Sequence, residues 1–375
     1  VPDDVPDDTT DDASPQPDGP VSLYDLDRTA LAAAMTGQPR YRCDQIWDGL
    51  YRRAAPLDEL TDLPAAMRSQ LAAAHPGALT EAARSTADGG NTVKWLWSLH
   101  DGGRIETVLM HYPRRTTVCV STQAGCAMAC DFCATGQAGF TRNLTTGEIL
   151  EQVVRARQAS HPRRVDNVVF MGMGEPMANF DRTWATVERL TGDMGMSARS
   201  LTISTVGLVP GIRRMADIDL PVNLAVSLHA ANDELRTRLV PINRRYPLDD
   251  LMDACDHYVR SRRRRLSFEW ALIDGVNDRG SDARELADRC IPLRAHVNLI
   301  PLNPTGGFET RGSPPERVQA FCDHLRSLGV NATVRANRGT DIDAACGQLS
   351  ASTAVAPPTR RQPTAARRSP TGHHH

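Results

Sequence analysis

The sequence predicts an α/β fold: a partial (β/α)6, TIM-like barrel preceded by a small N-terminal helical accessory domain. Three observations carry this reading. Strand-like and helix-like segments alternate six times after about residue 116, the pattern of parallel strands joined by covering helices. The ends of those strands carry Gly-rich or polar residues, where ligands of such folds collect. Before residue 90 the spacing of apolar residues is helical instead. An open doubly wound sheet is the alternative arrangement of the same units.

Residues 1–20 contain seven Asp and no Lys or Arg, so an acidic disordered tail is expected. Residues 21–90 read as the helical accessory domain, with helices at 27–35, 41–53 and 64–74. Ile46, Trp47, Leu50 and Tyr51 fall on one helical face, and Gly37, Pro39, Pro56 and Pro76 punctuate the segment. Trp47 and Tyr51 are expected in its core rather than as a base-stacking platform. Residues 91–350 form the barrel core. It opens with a hairpin, 92–99 and 104–111, around Asp101-Gly102-Gly103. Strands are expected at 116–121, 167–171, 201–204, 222–228, 266–273 and 295–300. Helices are expected at 146–158, 181–191, 210–216, 248–260, 282–290 and 315–328, and Thr145 with Glu148 has capping-box spacing. Residues 351–375 are rich in Pro, Ala and Arg and read as a basic disordered tail able to touch RNA phosphates.

A hydrophobic content of 41% and a charged content of 23% over 375 residues are those of a soluble globular protein. No apolar run is long enough to span a bilayer, and the first residues lack the basic-then-apolar order of a signal peptide. A cytoplasmic location, no membrane contact and a monomer are expected. Nine cysteines, an odd number with clustered spacing, argue against a secreted disulfide framework. The net charge of −2 conceals a basic folded part, because the acidic tail supplies the excess. A nucleic-acid partner is therefore permitted, not demanded.

Cys126, Cys130 and Cys133 stand in the order C-x3-C-x2-C. Three thiolates can hold three corners of a [4Fe–4S] cluster and leave the fourth iron open to a small molecule. A zinc site, usually closed by four ligands, is the alternative. One βα unit later comes Met171-Gly172-Met173-Gly174-Glu175-Pro176. Alone it would be a tight turn, and it matches neither a phosphate loop nor a dinucleotide fingerprint. After the cysteine loop it suits the amino group of S-adenosylmethionine, with Phe132 near the adenine. Of the other cysteines, Cys43, Cys255, Cys290 and Cys322 sit in helical patterns and read as packing residues.

With CVSTQAGC at 119–126, MGMGEPMAN at 171–179, LTISTVGLVP at 201–210, SLHAANDELR at 227–236 and RGTDIDAACGQL at 338–349, the chain resembles the radical S-adenosylmethionine enzymes. Within them it is most similar to the RlmN/Cfr family of RNA adenine methyltransferases, from about residue 22 to 350. The resemblance implies methylation at C2 of an adenosine in 23S rRNA and of the adenosine just 3′ of the anticodon in certain tRNAs. The alternative is Cfr-type methylation at C8 of the same rRNA adenosine; the N-terminal domain and the GTDIDAACGQL segment look more like the C2 branch. Implied cofactors are one [4Fe–4S] cluster on Cys126, Cys130 and Cys133 and two S-adenosylmethionine molecules per turnover. An electron donor such as flavodoxin or ferredoxin is the implied redox partner.

By the same resemblance, Cys346 takes a methyl group from the first S-adenosylmethionine. The radical made from the second abstracts hydrogen from that S-methyl group, and the S–CH2 radical adds to C2. Cys119 then attacks the sulfur, frees the RNA and forms a transient disulfide with Cys346. Glu106 matches the proton acceptor. Gly174, Glu175, Ser204, Ser227, Leu228, His229 and Asn303 match the cofactor contacts. Read without the resemblance, Cys119 is a core residue, Cys346 a thiol among small residues, Glu106 an exposed strand carboxylate and His229 a loop histidine. For RNA phosphates the candidates are Arg260, Arg262, Arg263, Arg264 and Arg265, with Arg335 and Arg338, although a charge run is more often a solvated face. Flipping of the target base is expected. A radical activase acting on a protein glycine has no use for the Cys119 and Cys346 pair, and a zinc-bound RNA-binding module would be colourless.

Overall fold

The computed structural model describes residues 19–303, 311–335, 338–344 and 347–349. Three helices come first, α1 (Arg28–Ala34), α2 (Tyr41–Trp47) and α3 (Ala65–Ala74), and a π-helical turn over Asp48–Arg53 continues α2. An antiparallel ribbon follows: β1 (Thr80–Ala87), β2 (Thr92–Ser98) and β3 (Arg104–His111). The expected hairpin is present, with Ser98 opposite Arg104. Strand pairing begins at Thr80, earlier than its polar, Ala-rich sequence suggests, because β1 is an edge strand half open to solvent.

Then come β4 (Thr116–Cys119), a short pair β5 (Gln123–Gly125) and β6 (Phe140–Asn143) flanking the helical turn α4 (Ala134–Gln137), and the strand-helix repeat. The repeat is α5 (Thr146–Ser160), β7 (Asn167–Phe170), α6 (Phe180–Glu188), β8 (Leu201–Thr205), α7 (Val209–Asp217) and β9 (Asn223–Ser227). It continues with α8 (Asp233–Leu239), α9 (Leu248–Arg262), β10 (Leu266–Leu272), α10 (Gly280–Leu293), β11 (His296–Pro301), α11 (Pro315–Ser327) and β12 (Asn331–Val334). The Thr145–Glu148 capping box forms at the start of α5 as its spacing predicts.

The main sheet runs β1-β2-β3-β4-β7-β8-β9-β10-β11-β12. From β4 to β12 all neighbours are parallel and the order never reverses. A doubly wound sheet reverses order at its switch point, whereas a barrel does not. β4 and β12 do not pair, so the barrel is partial. It has seven parallel strands rather than six; β12 was not among the expected strands. Parallel strands covered on both faces become largely apolar; in β10, Phe268 and Trp270 are wholly buried. Burying a side chain of that size is worth about 2–3 kcal/mol.

The N-terminal helices dock on α5 and on the π-helical turn Arg189–Asp193 that follows α6. Trp47 Nε1 donates to Asp193 Oδ1 at 2.8 Å, Arg189 donates to Tyr51 Oη at 2.8 Å, and Gln158 Nε2 donates to the Ala54 carbonyl at 2.9 Å. Trp47 and Tyr51 are buried, as expected, and the Arg189 guanidinium lies over both rings. Among the described residues no helix is long and apolar enough to cross a membrane.

Candidate functional site

The cysteine triad sits on the loop between β5 and α4. Gly125 enters it at φ +79°, and a Cβ there would meet the Gly139 carbonyl oxygen at 2.0 Å. That glycine lets Cys126 N–H reach the same carbonyl at 2.8 Å. Burial, then the neighbouring Cys133 and Cys126, push the Cys130 thiol well above the ordinary range, and burial pushes Cys126 up to about 12. Three closely grouped thiols cannot ionise together without a compensating cation, and an iron–sulfur cluster supplies one. The donor set therefore fits the cluster. Among the described residues no group of three His, Cys, Asp or Glu side chains could hold a single metal ion; Cys130 and Cys133 instead border a cavity.

That cavity measures about 930 Å3, part of it open to solvent, and lies at the C-terminal ends of the parallel strands. Phe132, Gly174, Glu175, Ser204, Ser227 and His229 line it together with the two cysteines. Gly174 has φ +98°, and a Cβ there would stand 2.5 Å from Cβ of Gln123. The next residue, Glu175, is buried, and burial pushes its carboxyl up to about 7. Its Oε1 accepts from Met177 N–H at 3.0 Å and its Oε2 from Val206 N–H at 2.9 Å. The carboxylate thus ties the loop after β7 to the loop after β8, and the Thr205 side chain bonds to it as well.

His229 is buried in the left-handed region at φ +59°. Its Nδ1 accepts from Ala271 N–H at 3.0 Å, which leaves the ring proton on Nε2. Burial, reinforced by Arg236, pushes its pKa down to about 3. The ring is therefore a neutral donor, packed edge-on at 4.5 Å against Phe132. Leu228 lies beneath, its N–H donating to the Glu269 carbonyl at 3.0 Å. Asn303 is buried just past β11, outside the cavity lining.

Glu106 and Cys119 are also buried, on β3 and β4, and neither lines the cavity. The exposed strand carboxylate expected at Glu106 from its residue type alone is not found: Glu106 is 1% exposed and pairs with Lys94 at 3.2 Å. Cys346 lies outside the described residues. Those around it in sequence are anchored: the Gly347 carbonyl accepts from Ala134 N–H at 2.8 Å and the Leu349 carbonyl from Thr135 Oγ1 at 2.5 Å. Gly347 and Leu349 line the cavity.

The radical SAM superfamily profile matches residues 120–290. The chain is 50% identical over 363 residues to a probable dual-specificity RNA methyltransferase RlmN of Parafrankia sp. (strain EAN1pec), covering 91% of this chain and 93% of that one. The chain belongs to the RlmN family of radical SAM methyltransferases. It is also 49% identical over 342 residues to the dual-specificity RNA methyltransferase RlmN 1 of Myxococcus xanthus (strain DK1622), covering 89% of this chain and 95% of the relative. The crystal structure of a radical SAM methyltransferase from Sphaerobacter thermophilus superposes with a TM-score of 0.86 at 50% identity, covering 89% of this chain and all of that one.

Two features of this RlmN-family site escape the motif reading. Glu269 lines the cavity with Oε1 bonded to Asn298 Nδ2 at 2.8 Å and with Oε2 lacking a hydrogen-bond partner among the described residues. Burial pushes its carboxyl up, and the Arg335 charge draws it partly back. A lone Glu inside the apolar run of β10 was the available signal. Arg335, grouped with the surface arginines by sequence, lines the same cavity. The run Arg260, Arg262, Arg263, Arg264 and Arg265 lies away from this cavity. It precedes β10, so it lies at the N-terminal ends of the strands, opposite the cavity. Arg260 is held by Asp256, Arg262 by Asp219 and Arg264 by Asn223. Arg338 stacks on Tyr112 and donates to the His111 carbonyl at 3.2 Å.

Proposed function

We propose that the chain methylates C2 of adenine in 23S rRNA and in tRNA, by way of a methylated Cys346. The observation that supports this reading is one cavity bordered by Cys130 and Cys133, by Gly174, Glu175, Ser204, Ser227 and His229, and by Gly347 immediately after Cys346. C2 of adenine is electron-poor and the sulfonium methyl is electrophilic, so polar transfer has no nucleophile.

Cys126, Cys130 and Cys133 would hold the cluster. Bound there, it supplies the electron that cleaves S-adenosylmethionine to a 5′-deoxyadenosyl radical. Gly174, Glu175, Ser204, Ser227, Leu228, His229 and Asn303 orient the cofactor, His229 by donating from Nε2. Cys346 carries the methyl group as a thioether and presents it to the base. Cys119 attacks the Cys346 sulfur, so that an S–S bond forms as the C–S bond to the RNA breaks. The S-methyl group gives up one hydrogen atom to the 5′-deoxyadenosyl radical and its carbon bonds to C2; Glu106 takes the proton from C2, the methylene carbon gains a proton to become methyl, and the one electron released would pass to the cluster that Cys126, Cys130 and Cys133 would hold. A dithiol reductant reopens the disulfide. Two S-adenosylmethionine molecules are consumed, one for Cys346 and one for the radical.

The helical residues before β1 act as an accessory RNA-gripping element, the barrel core follows, and the protein works in the cytoplasm with an electron donor such as flavodoxin or ferredoxin. The test is anaerobic reconstitution with S-adenosylmethionine and unmodified rRNA, followed by nucleoside mass spectrometry. The reading expects 2-methyladenosine. The Cfr-type product, 8-methyladenosine, or no methylation by protein with an intact cluster, overturns it.

A further inference from the structure

The chain has 43 Lys and Arg residues, and all but Lys94 are Arg. This one lysine stands on β2, in register with Val108 on β3, which in turn pairs with Cys119 on β4. Its side chain is 13% exposed. Nζ lies 3.2 Å from Glu106 Oε1 and 3.3 Å from the Asp343 carbonyl oxygen. Asp343 belongs to the segment that leads to Cys346. That segment touches the ribbon twice more, where Gly339 N–H donates to Asp88 Oδ2 at 3.2 Å and Arg338 to the His111 carbonyl at 3.2 Å.

We propose that Lys94 is a positioning residue: its ammonium clamps the Glu106 carboxylate and the loop bearing Cys346 to one another. The proposal rests on the roles given to Glu106 and Cys346 above. An ammonium is compact, with three donors that can be divided between a carboxylate on one strand and a carbonyl on a separate loop. A guanidinium is planar and longer, and its fork suits one bidentate partner. This position is nearly closed to solvent and its charge is shared by two acceptors. Fixing Glu106 and Asp343 through a single charge holds the carboxylate and the start of that loop in a constant relation, which reactions between held groups require.

The test compares wild type, Lys94→Met and Lys94→Arg, each carrying its cluster, by hydrogen–deuterium exchange and by RNA methylation. Charge-assisted hydrogen bonds of this kind are worth roughly tenfold or more in local opening. In Lys94→Met, residues 338–344 should exchange about tenfold faster while β7 to β11 keep their protection. Lys94→Arg should regain part of that protection, because the charge returns. With RNA, Lys94→Met should still release 5′-deoxyadenosine but yield at least about tenfold less methylated RNA per cofactor cleaved. Unchanged exchange at 338–344 in Lys94→Met overturns the proposal, as does equal loosening of the whole sheet or no recovery in Lys94→Arg. If the wild type methylates no RNA, the functional reading above fails instead, and the exchange measurement still decides the role of Lys94.

Discussion

Glu106 lies diagonally across from Cys119 on one face of the β3–β4 pair, because Val108 is the direct partner of Cys119. Diagonal neighbours in such a pair are roughly 7–8 Å apart. Sheet pairing thus brings together two residues, proposed above as proton acceptor and resolving thiol, that the chain separates by a turn. Under the proposed chemistry, Cys119→Ala should stop the reaction after RNA has been captured. A covalent RNA–protein adduct should accumulate on denaturing gels, and free product should fall by about a hundredfold or more. Cys346→Ala should give neither adduct nor product. Turnover by Cys119→Ala at the normal rate would remove the resolving role.

Gly174 combines a backbone at φ +98° with a Cβ position 2.5 Å from the Gln123 side chain. Gly174→Ala should therefore suffer both strain and overlap, about 2–3 kcal/mol together. The melting temperature should drop by about 5 °C or more. Because Gln123 Oε1 also accepts from Glu175 N–H at 2.8 Å, S-adenosylmethionine binding should weaken in the same variant. Calorimetry on the cluster-loaded protein measures both.

His229 stays neutral in the fold because burial pushes its pKa from 6.5 down to about 3. The unfolded chain binds a proton near the ordinary value, so between those limits it holds more protons than the native state. Stability therefore rises with pH through this window and is lost as pH falls below about 6.5. Urea unfolding at pH 7 and pH 5 should show an acid penalty that His229→Gln removes, about 2 kcal/mol. Equal penalties in both proteins would place the acid sensitivity elsewhere.

Arg335 borders the cavity, whereas the exposed Arg263 and Arg265 lie at the other end of the strands. Arg263→Ala with Arg265→Ala should change RNA methylation by less than about twofold. Arg335→Ala should lower it by about tenfold or more, since it removes a cation at the cavity and leaves Glu269 with less compensation. Methylation assays at several salt concentrations separate phosphate contact from loss of the site, because only phosphate contact changes the salt slope.

Most of the barrel was legible in the sequence because its strands are buried on both faces. Apolar runs such as Leu266–Leu272 stand out between amphipathic helices. β12 escaped because Asn331–Val334 is four residues long with only Ala332 buried. The cavity residues on strand ends were readable as motifs. Glu269 was not, because a charged residue inside a strand announces itself only when both of its neighbours are known to be buried. The position of the arginine run was not readable for a related reason: composition reports charge, and only topology says which end of a strand it occupies. Lys94 had a signal of its own, a single lysine among arginines, whose meaning needed the partners that the fold brings to it.

That rarity has a practical consequence. A protease that cuts only after lysine finds one bond in the whole chain, between Lys94 and Trp95. The bond lies inside β2, paired to β1 on one side and β3 on the other, and Trp95 is buried. Nicking therefore requires β2 to leave both neighbours. The rate at which this chain yields two fragments, 1–94 and 95–375, becomes a direct clock for the opening of the ribbon that holds Glu106.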